Sequence, residues 1–168
     1  SLAGRLPVAV IEGDVATSRD AERIGRRGAP VVQINTGDGC HLGASAVHEA
    51  LRELCATHAP RLVFVENVGN LICPAEFDLG EWGKIAVLSV AEGDDKVEKY
   101  PLLFSLSRAL VITKLGMLPH TNFRMAEAER CFRRVNRNAP IIPLDSVTGD
   151  GFGPWIDFVE RAAGTGRV

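Results

Sequence analysis

The sequence lacks the features that mark membrane-spanning, nucleic-acid-binding or exported proteins. No apolar run approaches the roughly 20 residues that a helix needs to cross a bilayer, so no membrane-spanning helix is expected. The formal net charge is only −2, which gives no strong electrostatic attraction to nucleic acid or to an anionic membrane. The chain does not start with a charged segment followed by an apolar one, and the expected compartment is therefore the cytoplasm.

The size of the chain and its few cysteines bound its architecture. With 168 residues, 46% of them hydrophobic, the chain is long enough for one well-buried core and too short for two ordinary domains. This predicts a single domain over 1–168. The four cysteines favour metal binding or simple burial over two disulfides, because the expected compartment is reducing.

Short apolar segments alternate with amphipathic ones along the chain. Segments rich in β-branched residues predict strands at 7–12, 31–34, 61–66, 84–90, 109–113 and 140–144. Segments with apolar residues at helical spacing predict helices at 19–27, 44–57, 121–136 and 154–163. Strands apolar on both faces and separated by helices indicate an α/β fold, a mainly parallel sheet with helices on both faces. Ligands of such sheets bind at the carboxyl ends of the strands, so the loops that follow strands are the candidate site.

Two of these helices carry specific local signals. Ser18 is placed to cap the first helix, and Gly28 is placed to end it. In the second helix one apolar stripe is predicted to face the sheet. Its members fall at positions i, i+3, i+4 and i+7, and they are Val47, Ala50, Leu51 and Leu54.

The loop after the third predicted strand carries an acid and a glycine at a spacing that nucleotide hydrolases use. Glu66 ends the strand, and Gly69 follows in the loop. A carboxylate in this place can hold Mg²⁺ through water, and a glycine amide can face a terminal phosphate. Carboxylates also end the first strand, at Glu12 and Asp14. An acid followed by a glycine at this spacing occurs by chance in many loops, so the pattern alone is weak.

Cysteine and histidine side chains lie in two loops that follow strands. Cys40 and His41 stand in GDGCHLG at 37–43, and Cys73 lies in the loop after Glu66. Both loops are expected at the same edge of the sheet, so the three side chains can meet there. Thiolate and imidazole ligands suit Zn²⁺ or Ni²⁺ rather than Mg²⁺ or Ca²⁺. The alternative is that Cys73 is a small buried hydrophobic residue and His41 a solvated one, and these residues alone do not decide between the two.

Five segments in order along the chain resemble the HypB family of hydrogenase maturation GTPases. They span nearly the whole chain and read VAVIEGDVATSRDAERI, QINTGDGCHL, VFVENVGNLICPAEFDLGE, LSVAEGDDKVEKYP and ITKL. The combination of ENVGNLICP with GCHL is highly specific for this family. The urease accessory GTPases share the fold but carry a different metal motif, and they are the weaker match.

The resemblance implies a P-loop NTPase fold of the SIMIBI type, a G domain that hydrolyses GTP and forms a homodimer with nucleotide. It implies that Ni²⁺ or Zn²⁺ is held near the dimer interface by Cys40, His41 and Cys73. The implied partners are a nickel-binding hydrogenase accessory protein and the precursor of the large subunit of a nickel–iron hydrogenase. GTP or GDP with Mg²⁺ is the implied cofactor of the intact family member.

The resemblance also assigns nucleotide-binding roles to residues of this chain. Asp14 would be the switch acid near Mg²⁺, and Glu66 would be the acid of the Walker B-like strand. Gly69 would face the γ-phosphate. Thr113 and Lys114 would belong to the base-recognition loop, with the stem of the lysine along the purine.

Three departures from the family pattern all concern nucleotide binding. The sequence has no G-x-x-x-x-G-K-S/T motif, and the family's P-loop precedes a segment like RLPVAVIEGD. Backbone amides and a lysine around the phosphates are central to this chemistry, so this chain is expected to bind nucleotide poorly and to hydrolyse almost none. Gly116 replaces the carboxylate of the base loop N/T-K-x-D, and Asp145 replaces a usual serine. Because charged hydrogen bonds are worth about 1.5–3 kcal/mol each, guanine selectivity is expected to be low.

The missing P-loop strand has a structural consequence. In this fold that strand lies between the predicted strands at 61–66 and 84–90, so we expect either a gap in the sheet or a forced new neighbour for these strands. The gap predicts reduced stability, or dimerisation that fills it. The same departures keep a second functional hypothesis open, in which the chain is a non-hydrolysing metal carrier or scaffold with a degenerate nucleotide site.

Overall fold

The strands described by the computed structural model, which covers residues 2–14 and 18–165, all lie in parallel sheets. They form two three-stranded sheets, one in the unit Ser1–Gly80 and one in the unit Glu81–Val168. The predicted parallel α/β fold is confirmed, whereas the single domain over 1–168 stays a prediction. In the part of the chain that is described, no helix has the length and apolar character needed to cross a membrane.

The first unit carries the sheet in which the candidate metal ligands were predicted to meet. After a 3₁₀ turn at Leu2–Gly4, its strands are β1 (Val8–Asp14), β2 (Val31–Asn35) and β3 (Leu62–Glu66). Its α-helices are α1 (Arg19–Arg26), α2 (Ala44–His58) and α3 (Cys73–Glu76). The strand order is β2-β1-β3, so β1 is central and its neighbours both follow it in the chain.

The register of this sheet brings three strand ends to one edge. Glu12 of β1 lies opposite Glu66 of β3, and Asp14 lies opposite Asn35 of β2. All pairings are parallel, so the loops after β1, β2 and β3 leave the sheet on the same side. The topology therefore gathers the polar loops that the sequence pointed to.

The core of the first unit forms where α2 covers the sheet. Ala9 and Ile11 of β1 are fully buried. The α2 residues that pack there are Val47, Ala50 and Leu54. The predicted inclusion of Leu51 in this stripe is wrong, because 37% of its surface is exposed. α2 packs on β1 and β2 and buries a narrow face, which leaves Leu51 beside that face.

The predicted cap at the start of α1 does not form, whereas the predicted glycine does end the helix. The helix begins at Arg19, but the Ser18 side chain makes no capping hydrogen bond to the backbone. Its Oγ donates to Glu22 Oε1 at 3.1 Å instead. Gly28 lies just beyond the helix with φ +83°, a left-handed conformation that glycine adopts readily and that ends helices.

The second unit carries the predicted base-recognition loop. Its strands are β4 (Lys84–Ser89), β5 (Ser107–Thr113) and β6 (Ile141–Pro143), in the order β4-β5-β6. Its α-helices are α4 (Lys96–Lys99), α5 (Pro101–Leu106), α6 (Met125–Val135) and α7 (Phe152–Thr165). The helix predicted at 121–136 begins later, at Met125, because the backbone is extended at Thr121 and at Arg124.

Both faces of the second sheet are covered, and successive residues of β5 point alternately to one face and to the other. On one face Ala109 and Val111 pack with Trp155 and Phe158 of α7, whose rings stack with centroids 5.9 Å apart. Leu110 and Ile112 point to the opposite face of β5 and are fully buried. Trp155 therefore anchors α7 against the face of the sheet that carries Ala109 and Val111.

Candidate functional site

The three predicted metal ligands converge at the carboxyl edge of the first sheet. The Sγ atom of Cys40 lies 2.9 Å from Sγ of Cys73 and 3.6 Å from Nδ1 of His41. The ligating atoms of all three residues lie within 4.8 Å of one another. Cys40 is exposed and the other two are partly buried, so an ion can reach them from solvent. Two sulfurs and one imidazole nitrogen suit Ni²⁺ or Zn²⁺ and leave room for a fourth ligand, although metal binding by this set stays a prediction.

The side chain of Asn67 joins the two loops that carry these ligands. Its Oδ1 accepts a hydrogen bond from the N–H of Leu42, at 2.9 Å, and another from the N–H of Val68. Leu42 directly follows His41 and is 1% exposed. The backbone next to the imidazole is thus fixed both by a hydrogen bond to the opposite loop and by burial in the core.

Cys73 is held at the start of α3 by a second asparagine. Asn70 Oδ1 accepts from the N–H of Ile72 at 2.8 Å and from the N–H of Cys73 at 3.3 Å. The hydrogen bond with Cys40, followed by desolvation, raises the pKa of the Cys73 thiol. Thiols bind metal as thiolates, so an ion bound here would displace protons from these sulfurs.

Backbone hydrogen bonds shape the start of the loop that carries Cys40. The Thr36 N–H donates to the carbonyl oxygen of Asp14 at 2.9 Å, which ties this loop to the end of β1. The Gly37 N–H donates to Asn35 Oδ1 at 2.9 Å, and Gly37 has φ +54°. A left-handed residue at this place turns the chain back toward the sheet edge, which explains one glycine of GDGCHLG.

Carboxylates cluster beside the metal ligands at the same strand ends. Asp14 and Glu66, the predicted acids near Mg²⁺, end β1 and β3, and Glu12 lies opposite Glu66. Glu12 is only 3% exposed, and among the described residues its Oε2 has no hydrogen-bond partner. Burial, followed by the charges of Asp14, Glu66 and Asp20, raises the pKa of Glu12. Desolvation and the charges of Asp20 and Asp14 likewise raise the pKa of Glu66.

Gly69, predicted to face the γ-phosphate, is exposed and sterically open. A Cβ atom added there would meet nothing within 4 Å. Packing within the described chain therefore does not require glycine at this position. Its predicted role, a close approach of the backbone to a phosphate, is neither supported nor contradicted by the geometry.

In the second unit the base loop and the turn after β6 are joined by Asp145. Asp145 Oδ2 accepts from the Gly116 N–H at 2.7 Å, and Oδ1 accepts from the N–H groups of Val147 at 2.8 Å and Thr148 at 3.3 Å. Asp145 is 5% exposed, and these hydrogen bonds lower its pKa. The carboxylate of Asp145 thus binds three backbone amides, one of them that of Gly116.

Thr113 and Lys114 occupy the expected place at the carboxyl end of β5. Thr113 ends the strand, and Lys114 follows with φ +62°. A non-glycine residue in the left-handed region is uncommon and is found where a loop is tightly constrained. The lysine side chain is exposed, so its stem is available to a ligand on this edge.

Sequence reasoning missed residues whose importance comes from contacts. Nothing in the type or position of Asn67 indicates that its side chain joins two loops, and nothing in those of Phe77 indicates that it stacks on His41. The position of Glu12 near a strand end does not indicate that its carboxylate is buried. The sequence signal that could have identified Glu12 as a special residue is the presence of an acid in an otherwise apolar strand.

Comparison with known proteins places the chain among nucleotide-binding domains. Residues 2–143 match the family described as CobW/HypB/UreG, nucleotide-binding domain. The hydrogenase maturation factor HypB of Azotobacter vinelandii is 48% identical over 164 residues, which are 98% of this chain and 54% of that protein. The probable hydrogenase maturation factor HypB of Methanocaldococcus jannaschii is 40% identical, over 96% of this chain and 73% of that protein.

A solved structure of a HypB protein is also similar to this chain. The crystal structure of HypB from Helicobacter pylori in complex with nickel superposes with a TM-score of 0.89 at 36% identity. The match covers 95% of this chain and 75% of that one. The chain spans about half the length of the first curated relatives that it matches.

Proposed function

We propose, from the premise that this chain belongs to the CobW/HypB/UreG family of nucleotide-binding domains and within it to HypB, that it binds nickel for delivery during maturation of a nickel–iron hydrogenase. One observation carries the proposal. Cys40, His41 and Cys73 come from two loops and bring their ligating atoms within 4.8 Å of one another. Soft sulfur and nitrogen donors of this kind fit Ni²⁺, and Zn²⁺ is the competing ion.

The accessible position of this set suits an ion that is cargo. Cys40 is exposed, and three protein ligands leave a place for a ligand from water or from another protein. An incomplete set of ligands lets an acceptor replace the protein's donors one at a time. We propose that a second copy of the chain meets this edge, and that an accessory protein and the precursor of the hydrogenase large subunit take part in the transfer.

GTP hydrolysis by the full-length protein would act on the same edge of the sheet. Asp14 and Glu66 would face the Mg²⁺ of the nucleotide, and each is connected to the metal loop. Asp14 follows Gly13, where an added Cβ atom would lie 2.8 Å from the Leu42 side chain, and Glu66 precedes Asn67, which binds the Leu42 N–H. A change in the position of either acid would therefore also displace the backbone next to His41. Coupling of this kind requires that nickel binds the two nucleotide states with different affinity.

Titration with Ni²⁺ tests the ligand set. Cys73→Ala and Cys40→Ser should each weaken nickel binding strongly, while the oligomeric state is followed by light scattering. Cys55→Ser is the matched control, since Cys55 is also an exposed free cysteine but lies on α2 outside the set. Equal affinity of wild type and Cys73→Ala would refute the proposal.

A second candidate function is a metal carrier that does not hydrolyse GTP. It is favoured by the second unit, where Gly116 offers no carboxylate and that of Asp145 is engaged by three backbone amides. The two functions differ in their response to nucleotide. Nickel affinity of the full-length protein should differ between GDP and a non-hydrolysable GTP analogue if it is a coupled GTPase, and should be equal if it is a carrier.

A further inference from the structure

The imidazole of His41 has few polar contacts to fix its orientation. Histidines that bind metals usually donate their second ring N–H to a carboxylate, a carbonyl oxygen or a water molecule. In the described residues, the polar contact found for the His41 ring is with Cys40 Sγ, 3.6 Å from Nδ1. That sulfur is itself a proposed ligand, so it cannot serve as an independent support. A contact of another kind has to set the plane of the ring.

That contact comes from the side chain of Phe77. The centroids of the His41 and Phe77 rings lie 3.9 Å apart, and their planes differ by only 12°. Stacked rings gain contact area and dispersion energy that are lost when one ring rotates out of the common plane. Phe77 is 47% exposed and is not a member of the buried hydrophobic cluster of its unit.

The path of the chain links this ring to a second metal ligand. The single turn of α3 begins at Cys73, and Phe77 directly follows its last residue. Pro74 and Ala75, between them, are buried and anchor the turn. One short rigid segment therefore supplies a sulfur at its start and, at its end, the aromatic surface against which the histidine of the other loop lies.

We propose that Phe77 is a positioning residue of the metal centre, which holds the plane of the His41 imidazole so that its nitrogen faces the sulfurs of Cys40 and Cys73. The inference rests on the proposed function, because the ring needs a fixed plane only if His41 binds the ion. Without the phenyl ring the two sulfurs remain in place, but the imidazole rotates freely. Nickel then loses its nitrogen ligand for part of the time.

The test compares variants with and without a ring at position 77. Phe77→Leu removes the ring and keeps an apolar side chain, and Phe77→Tyr keeps the ring. Ile72→Ala is the matched control, because Ile72 is an apolar residue of the same loop, 54% exposed, with no ring to stack. Nickel affinity is measured by calorimetry, and the ligand-field absorption bands of bound nickel report its ligands.

Phe77→Leu should bind nickel roughly 10- to 100-fold more weakly, as expected when the support of a metal ligand is removed. Its absorption bands should shift toward those of His41→Ala, whereas Phe77→Tyr and Ile72→Ala keep the wild-type affinity and bands. The melting temperature of each variant is recorded, and Phe77→Met serves as a second ringless variant if Phe77→Leu does not fold.

Three results would overturn the inference. If Phe77→Leu keeps wild-type affinity and bands while Cys73→Ala loses binding, the proposed function stands and the role of Phe77 is refuted. If Ile72→Ala weakens binding as much as Phe77→Leu, the loop as a whole is responsible and not the ring. Unchanged binding by Cys73→Ala would refute the proposed function and this inference together, so the two failures are distinguishable.

Discussion

The sulfur atoms of Cys40 and Cys73 lie 2.9 Å apart although 33 positions separate the two residues in the sequence. Cys40 follows β2 and Cys73 follows β3, and both strands pair with β1. The order of the parallel strands, and not the local sequence, therefore brings the two sulfur atoms together. Conditions that disturb the packing of β1 should separate the sulfurs without any change in the ligands themselves.

The contact between Gly13 and Leu42 gives a first prediction. A Cβ atom at Gly13 would lie 2.8 Å from the Leu42 side chain, which is itself buried in the core. Gly13→Ala should therefore lower the free energy of unfolding by about 1–3 kcal/mol, the usual cost of overpacking. Urea denaturation measures this change, and nickel affinity should fall with it because Leu42 adjoins His41.

The matched control for Gly13→Ala is a glycine with free space around it. Gly25 lies in α1, where an added Cβ would find its nearest neighbour at 4.0 Å. Gly25→Ala should leave stability unchanged or raise it by about 0.5–1 kcal/mol, since alanine favours helices. A Gly13→Ala protein as stable as wild type would show that the core next to the metal loop is loosely packed.

The buried carboxylate of Glu12 gives a prediction about pH. Its pKa is raised above the usual glutamate value of 4.5 by burial and by neighbouring acids. The folded state therefore keeps this proton to higher pH than the unfolded state does. Ionisation destabilises the fold as the pH rises from about the ordinary value through the raised one. At neutral pH, Glu12→Gln should raise the free energy of unfolding by about 1–3 kcal/mol, because it removes the desolvation cost of a buried charge that lies beside other carboxylates.

Denaturation of wild type and Glu12→Gln at several pH values tests the predicted direction of this change in stability. The difference in stability should shrink toward zero below the ordinary glutamate pKa, where the carboxyl is neutral in both folded and unfolded states. Glu49→Gln, an exposed position on α2, should show no such trend. A Glu12→Gln protein that is less stable than wild type at neutral pH would mean that the carboxylate has a partner.

Gly116 and Asp145 should behave as a coupled pair. Asp145→Ser removes the acceptor of three backbone N–H groups and should cost about 1–3 kcal/mol of stability. Gly116→Asp places a Cβ 3.2 Å from Asp145 Oδ2 and a second carboxylate beside it, which should also destabilise. The double variant should be more stable than the sum of the two changes predicts, by about 0.5–3 kcal/mol.

A double-mutant cycle measured by chemical denaturation gives this coupling. Gly153→Asp combined with Asp145→Ser is the control cycle, because a Cβ at Gly153 meets nothing within 4 Å. In that combination the two changes in the free energy of unfolding should add. Additivity of Gly116→Asp with Asp145→Ser would contradict the view that the two departures from the family pattern depend on each other.

The positions of the strands could be predicted from sequence to within two residues, because short apolar segments between amphipathic helices mark buried parallel strands. Once the strands are parallel, the loops that follow them must share an edge, and this alone brought Cys40, His41 and Cys73 together. That inference needed only strand positions and direction. The base loop was assigned by the resemblance to the HypB family, and Thr113 ends β5.

Contacts between side chains could not be predicted in this way. The exposure of Leu51 depends on which strands α2 covers, and helical spacing does not encode that. The stacking of Phe77 on His41 depends on where one turn of helix ends. The missing partner of Glu12 depends on every group around it, and the Asp145–Gly116 hydrogen bond on the shape of two loops.

The X-ray absorption spectrum of the nickel-loaded protein tests the central claim most directly, because it identifies the atoms bound to the ion. We predict sulfur neighbours from Cys40 and Cys73 together with the multiple-scattering signal of one imidazole, and loss of part of the sulfur signal in Cys73→Ala. A spectrum with only oxygen and nitrogen neighbours, or one that Cys73→Ala leaves unchanged, would contradict the proposal that these three residues hold the metal.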